Sequence, residues 1–204
     1  MIWLAEEATS VALSEILGVT YKTAWLIGQK LRDALTQQSN EQLLSGLVAV
    51  TGGIYGWRRA SSSLAVQPTD QPVAIGGTVE GGEDIREIKM AHLSKRETGS
   101  SRLISRMAHM KFSDAHVSDD VKAVRAFPYF GMNKLAPLSA VLMHTLHWLD
   151  HTLQGIGPKH LQAYLNHQSF VFNISRKAQK VVPYMLRLCA TRARITYREL
   201  TLTS

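Results

Sequence analysis

Cysteine is nearly missing: Cys189 is the single thiol in 204 residues. It can close no internal disulfide and cannot supply a Cys-rich zinc site, so no zinc ribbon is expected in this chain. Long apolar runs are missing too. No stretch approaches the ~18 consecutive apolar residues of a membrane span. The opening MIWLAEEATS lacks the basic-then-apolar layout of a secretory signal. The expectation is a soluble, cytoplasmic protein without a membrane partner. Acids are few, 16 Asp+Glu against 23 Lys+Arg, for a net charge of +7. Between residues 42 and 79 the only acid is Asp70, which limits carboxylate chemistry there. With 45% apolar residues the chain can bury a real core, which excludes low-complexity disorder.

The positive charge is unevenly placed. Lys22, Lys30 and Arg32 are outnumbered by Glu6, Glu7, Glu15, Asp33 and Glu41, so the first 50 residues are net negative. The excess lies later, and the tail from 174 to 204 holds Arg176, Lys177, Lys180, Arg187, Arg192, Arg194 and Arg198 against Glu199 alone. Clustered cations are the footprint of a polyanion partner, because each neutralised phosphate releases counterions. A solvated basic helix gives the same count.

Periodicity predicts a helix over 5–17, with Val11, Leu13, Ile16 and Leu17 on one side and Gly18 as its stop. Thr20 then caps a second helix over 21–37, in which Ala24, Ile27, Leu31 and Leu35 recur at helical spacing. Two helices joined by a short glycine-containing turn form a helix-turn-helix layout or an ordinary helical hairpin. In the first case the second helix presents Tyr21, Lys22, Thr23 and Gln29 to phosphates or base edges. Strand character follows at 47–50, then a polar, basic loop over 57–72 that carries Arg58 and Arg59. VAIGGTVE (73–80) and IREIKMAHL (85–93), separated by glycines, predict a β-hairpin. A helix is expected over 100–110, a short strand over 115–120, a helix over 121–127, and mostly helix from 138 onward. Three sequential strands followed by alternating helix and strand fit an α/β fold of ribonuclease-H-like layout, which other α/β folds share, with a mixed sheet, helices and a basic helical tail. The division expected is a helix-turn-helix segment at 1–40, a catalytic-type domain at 44–176 and the tail at 177–204.

Asp119 and Asp120 close the expected strand, where α/β proteins commonly place catalytic groups, or else cap the next helix. His144, His147 and His151, with Asp150 beside them, share one helical face. Three ligands along one straight helix do not converge on a tetrahedral ion, so a surface row is the simpler reading beside a histidine-based metal site.

LSEILGVTYKTAWLIGQKLRDAL (13–35), LSGLVAVTGGIYG (44–56), VSDD (117–120), WLDHTLQGIGPKHLQAYLNHQSFVFNISR (148–176) and ITYREL (195–200) together resemble the ISXO-like transposases of bacterial insertion sequences. The resemblance implies helix-turn-helix binding of double-stranded element ends. It also implies a ribonuclease-H-like domain that cuts and transfers DNA strands with Mg²⁺ or Mn²⁺ during transposition and recombination of the mobile element. It further implies a homo-oligomer or a mixed oligomer with an intact transposase. By the family's pattern Asp119 is a catalytic, metal-holding Asp, His144 falls near the third catalytic position, and Thr51 stands where the first catalytic Asp is expected. A neutral hydroxyl cannot replace that charge, so the expectation is impaired catalysis, or a catalytically silent DNA-binding remnant. The family's zinc ribbon is missing, as in a chain shortened at its amino terminus. Its FRFNRR-like segment has become FVFNISR, keeping Asn173 and Arg176. Arg58, Arg59, Arg176, Lys177 and Lys180 complete the expected DNA-contacting set.

Overall fold

Short polar residues and one glycine set the amino-terminal helices. In the computed structural model, which describes residues 9–56, 70–81, 84–94, 105–121, 123–126, 136–153, 155–177, 180–192 and 196–202, α1 (Ser10–Leu17) begins where the Thr9 hydroxyl accepts from the Ala12 N–H at 3.3 Å. It ends at Gly18, whose φ of 64° is the left-handed cap conformation. Thr20 caps α2 (Tyr21–Glu41) by accepting from the Thr23 N–H, also at 3.3 Å.

The fold is mixed α/β: the two helices lead into an antiparallel sheet, and further helices follow. β1 (Leu47–Tyr55), β2 (Gln71–Glu80) and β3 (Asp84–His92) form a meander, and β4 (Ala123–Ala126) lies parallel to β1, giving the order β3-β2-β1-β4. α3 (Arg106–His116) precedes β4, and α4 (Ala136–His151), α5 (Pro158–Arg176), α6 (Val181–Thr191) and α7 (Tyr197–Leu202) follow it. Among the described residues no helix is long and apolar enough to cross a membrane.

Both faces of the sheet are covered, which is why β2 reads as a nearly continuous buried run. On one face Ile75, Ile88 and Met90 pack with Leu138, Leu142 and Leu149 of α4 and Leu161 and Leu165 of α5. On the other, Val48, Val50 and Ala74 pack with Ala108 and Phe112 of α3. Gly76 and Gly77 point to opposite faces and let both layers approach. A Cβ on Gly76 would lie 2.5 Å from the Phe112 ring, and one on Gly77 would lie 2.9 Å from Leu138 Cδ1.

The segment 115–127 departs from expectation. The strand expected at 115–120 is the end of α3, one isolated parallel bridge between Leu44 and Val117, and a turn. The strand is instead β4, inside the stretch 121–127 expected to be helical. Four residues, Ala-Val-Arg-Ala, are too short to show a period that separates strand from helix, and here pairing with β1 decides it. The expected loop also ends early, since Asp70 is 1% exposed and β2 starts at Gln71.

α5 lies along the open edge of β3 and satisfies its backbone with amide side chains. Ile88 N–H donates to Asn173 Oδ1 at 2.7 Å, and Asn173 Nδ2 donates back to Ile88 O at 2.9 Å. His92 N–H donates to Gln162 Oε1 at 2.8 Å while Gln162 Nε2 donates to Met90 O at 3.0 Å. Gln162 also donates to Asn166 Oδ1, and Asn166 Nδ2 donates to Thr36 Oγ1 of α2. The amides thus stand in for a fifth strand and blunt an edge that would otherwise pair with another chain. Beyond them Leu35 of α2, Phe170 and Ile174 of α5, and Met185 and Leu188 of α6 form a separate apolar cluster.

Candidate nucleic-acid interface

α1 and α2 meet through Leu13 and Ala24, with Ala12, Val19, Ile27 and Leu31 around them. Ala24 is fully buried, so the small side chain sets how closely the helices approach. The first turn of α2 faces outward: Tyr21, Lys22 and Thr23 are exposed, and Lys30 lies two turns on along the exposed side. Thr23 Oγ1 lies 3.0 Å from Thr20 Oγ1, so its hydroxyl is held in the cap. Lys22 Nζ sits 5.5 Å from the Tyr197 ring centroid of α7, a cation over an aromatic face.

Gln29 does not join this surface. It is 3% exposed, and its buried Nε2 has no hydrogen-bond partner. The side of α2 that carries Gln29 also carries Arg32, which packs on α5. The Arg32 guanidinium lies 3.8 Å from the Tyr164 ring centroid, and its Nε and Nη1 have no hydrogen-bond partner. Burial lowers the Arg32 pKa, and burial raises that of Tyr164 against the opposing pull of Arg32. His160, edge-on to Trp25 at 5.7 Å, is held below the ordinary imidazole range by burial and by the nearby cations Lys159 and Arg32.

The basic tail is not a free stripe. Arg176 pairs with Asp84 at 3.2 Å, Lys177 pairs with Glu87 at 3.3 Å, and Arg192 pairs with Glu41. These exposed pairs are individually weak, worth about 0–1 kcal/mol, yet they place acids beside three of the expected DNA-contacting or tail cations. Lys180 and Arg187 are exposed. Arg58 and Arg59 lie outside the described residues.

The residues expected to form a catalytic centre are not brought together. Thr51 is 6% exposed in the middle of β1, on the same side as Gly53, whose Cβ position is 3.1 Å from Leu142 of α4. Asp119 is exposed in the turn ahead of β4, not at a strand's end. Since Ala123 pairs with Leu47, four residues short of Thr51, and Asp119 lies further back, they are roughly 13 Å or more apart along the strand direction at ~3.3 Å per residue. His144 is exposed on α4, two positions and therefore about 200° around the helix from inward-facing Leu142. A pair of Mg²⁺ ions ~3.5–4 Å apart needs convergent carboxylates, and Thr51, Asp119 and His144 do not fit one. Among the described residues no group of three His, Cys, Asp or Glu side chains could hold a metal ion. His147 and His151 lie with ring centroids 4.1 Å apart and planes tilted by 39° on the exposed side of α4, a surface row.

Two features had no signal in the sequence. Asp70 is a buried carboxylate at the start of β2. A cleft of about 460 Å³ opens beside the first turns of α2, between the start of α1 and the segment joining α4 to α5; Tyr21, Trp25 and Tyr164 are among its walls. Compared with protein-family models, curated proteins and solved structures, the chain matches none.

Proposed function

We propose that this chain is a DNA-binding protein of transposase descent, related to the ISXO-like insertion-sequence enzymes, with a ribonuclease-H-like core that no longer assembles a strand-cleavage site. The observation that carries the reading is a contrast. The capped turn between α1 and α2 leaves Tyr21, Lys22 and Thr23 exposed at the start of the second helix, whereas the acid set lies dispersed. The strand order β3-β2-β1-β4, with β1 parallel to β4 and helices on both faces, supports the ribonuclease-H-like assignment.

In this reading the amino-terminal turn of α2 meets the major groove, with Lys22 on a phosphate and Tyr21 at the groove wall. Lys30 and Lys180 add electrostatic attraction, and Gln29 is not part of the contact set. Partners are double-stranded element ends and other copies of such a protein. Active strand transfer has less support, since it needs carboxylates that Thr51 and His144 do not supply. The experiment is a pair of assays on the purified chain. Element-end duplex is expected to bind more tightly than scrambled duplex, and neither is expected to be nicked in Mg²⁺ or Mn²⁺. Equal affinity for both duplexes contradicts specific recognition, and metal-dependent nicking abolished by Asp119→Asn contradicts the silent core.

A further inference from the structure

We propose that the cleft beside the α2 amino terminus receives one unpaired base of the bound DNA, an inference that rests on the DNA-binding reading above. Three aromatic side chains wall it. Tyr21 is 59% exposed at the rim, Trp25 is partly buried, and Tyr164 is buried at the back. Every base has a π-face, so such walls take any base by stacking. Ser10 and Thr152 also line the cleft and bring hydroxyls for a base edge. At about 460 Å³ its volume falls in the range of pockets that bury small planar ligands.

Charge argues for a nucleic-acid occupant over a neutral aromatic molecule. Among the described residues no Asp or Glu lines the cleft. Behind its back wall the Arg32 cation lies on the Tyr164 ring, and no carboxylate pairs with it among the described residues. Around the rim, Tyr21 and Trp25 also line a second hollow, with Lys22 and Tyr197. A strand whose phosphate sits at Lys22 therefore passes directly over the mouth. A base dipping into the cleft stacks on Trp25, with Tyr164 at its back and Tyr21 closing over it.

The test compares three short duplexes of one sequence: fully paired, with one extrahelical 2-aminopurine, and with the same base paired. The unmodified protein is expected to bind the extrahelical duplex about tenfold more tightly than the paired ones, and to quench its fluorescence by stacking. Tyr21→Ala should bring that ratio close to one and Tyr21→Phe should keep it, whatever either does to overall affinity. A ratio of one for the unmodified protein, with paired duplex still bound, overturns the base pocket alone, as does a ratio that survives Tyr21→Ala. Failure to bind any duplex at low salt overturns the DNA-binding reading and the pocket with it.

Discussion

Replacing Asn173 by Ala tests whether the segment from Pro158 to Arg176 acts structurally. Asn173 exchanges two hydrogen bonds with Ile88, at 2.7 and 2.9 Å, and Ile88 is fully buried. The substitution removes both bonds and leaves a donor and an acceptor on the edge of β3 without partners. Each hydrogen bond contributes about 0.5–1.5 kcal/mol, and a buried group left unpaired costs about 1–3 kcal/mol. Partial rehydration at the edge keeps the sum near the low end, so the expected loss is about 2–4 kcal/mol. Asn173→Asp keeps an acceptor for the Ile88 N–H but sets a carboxylate oxygen against the Ile88 carbonyl, so it should cost at least as much as Asn173→Ala. Urea denaturation followed by circular dichroism reads the change as a lower midpoint with an unchanged slope. Gln162→Ala should add independently, because eleven residues of helix separate the two positions by ~16 Å. A loss below about 0.5 kcal/mol for Asn173→Ala, or a large loss of DNA affinity at unchanged stability, refutes the view that these amides stand in for a strand.

Three further outcomes follow from the same geometry. His116 is pushed down to about 4 by burial and then by Lys89, and burial also lowers His109 and His160. A histidine kept neutral in the fold gives its full stabilisation above the unfolded value near 6.5 and loses it as pH falls toward 4. Stability should therefore fall between pH 6.5 and 4, by about 1–2 kcal/mol for His116 once partial solvent access is discounted, read as a lower thermal midpoint, and His116→Gln should flatten that slope. Gln29→Leu removes a buried amide nitrogen with no partner, so denaturation should show unchanged or raised stability, and duplex affinity should not fall. Thr51→Asp buries a carboxylate against the Leu142 layer; it should destabilise by about 3 kcal/mol and restore no nicking, because Asp119 remains beyond the Leu47 end of β1.

What the sequence made legible was local. Thr20 and Gly18 mark their helix ends by chemistry that acts within four residues, and the β2–β3 hairpin announces itself through glycines between two strand-like segments; the Thr9 cap falls inside the helix expected over 5–17. What stayed hidden depends on partners far along the chain. Gln29 looks like a surface residue, yet it is buried on the side of α2 whose Arg32 packs on α5, more than a hundred residues later. The tail looks freely basic until Arg176 finds Asp84 and Arg192 finds Glu41. β4 escaped because its four residues carry no period, and the misplaced strand moved Asp119 from a strand's end to a turn. That shift, together with a neutral, buried Thr51 and an outward-facing His144, leaves the expected catalytic set dispersed, whereas the turn between α1 and α2 lies where its caps put it.

The most direct measurement is the salt dependence of duplex binding for the unmodified chain and for Lys22→Ala. Exposed Lys22 at the start of α2 is predicted to neutralise one phosphate, so its removal should weaken binding to all duplexes and reduce the slope of log K against log salt by about 0.9. An unchanged slope and affinity, with the protein still folded, contradicts DNA recognition by the α2 amino terminus.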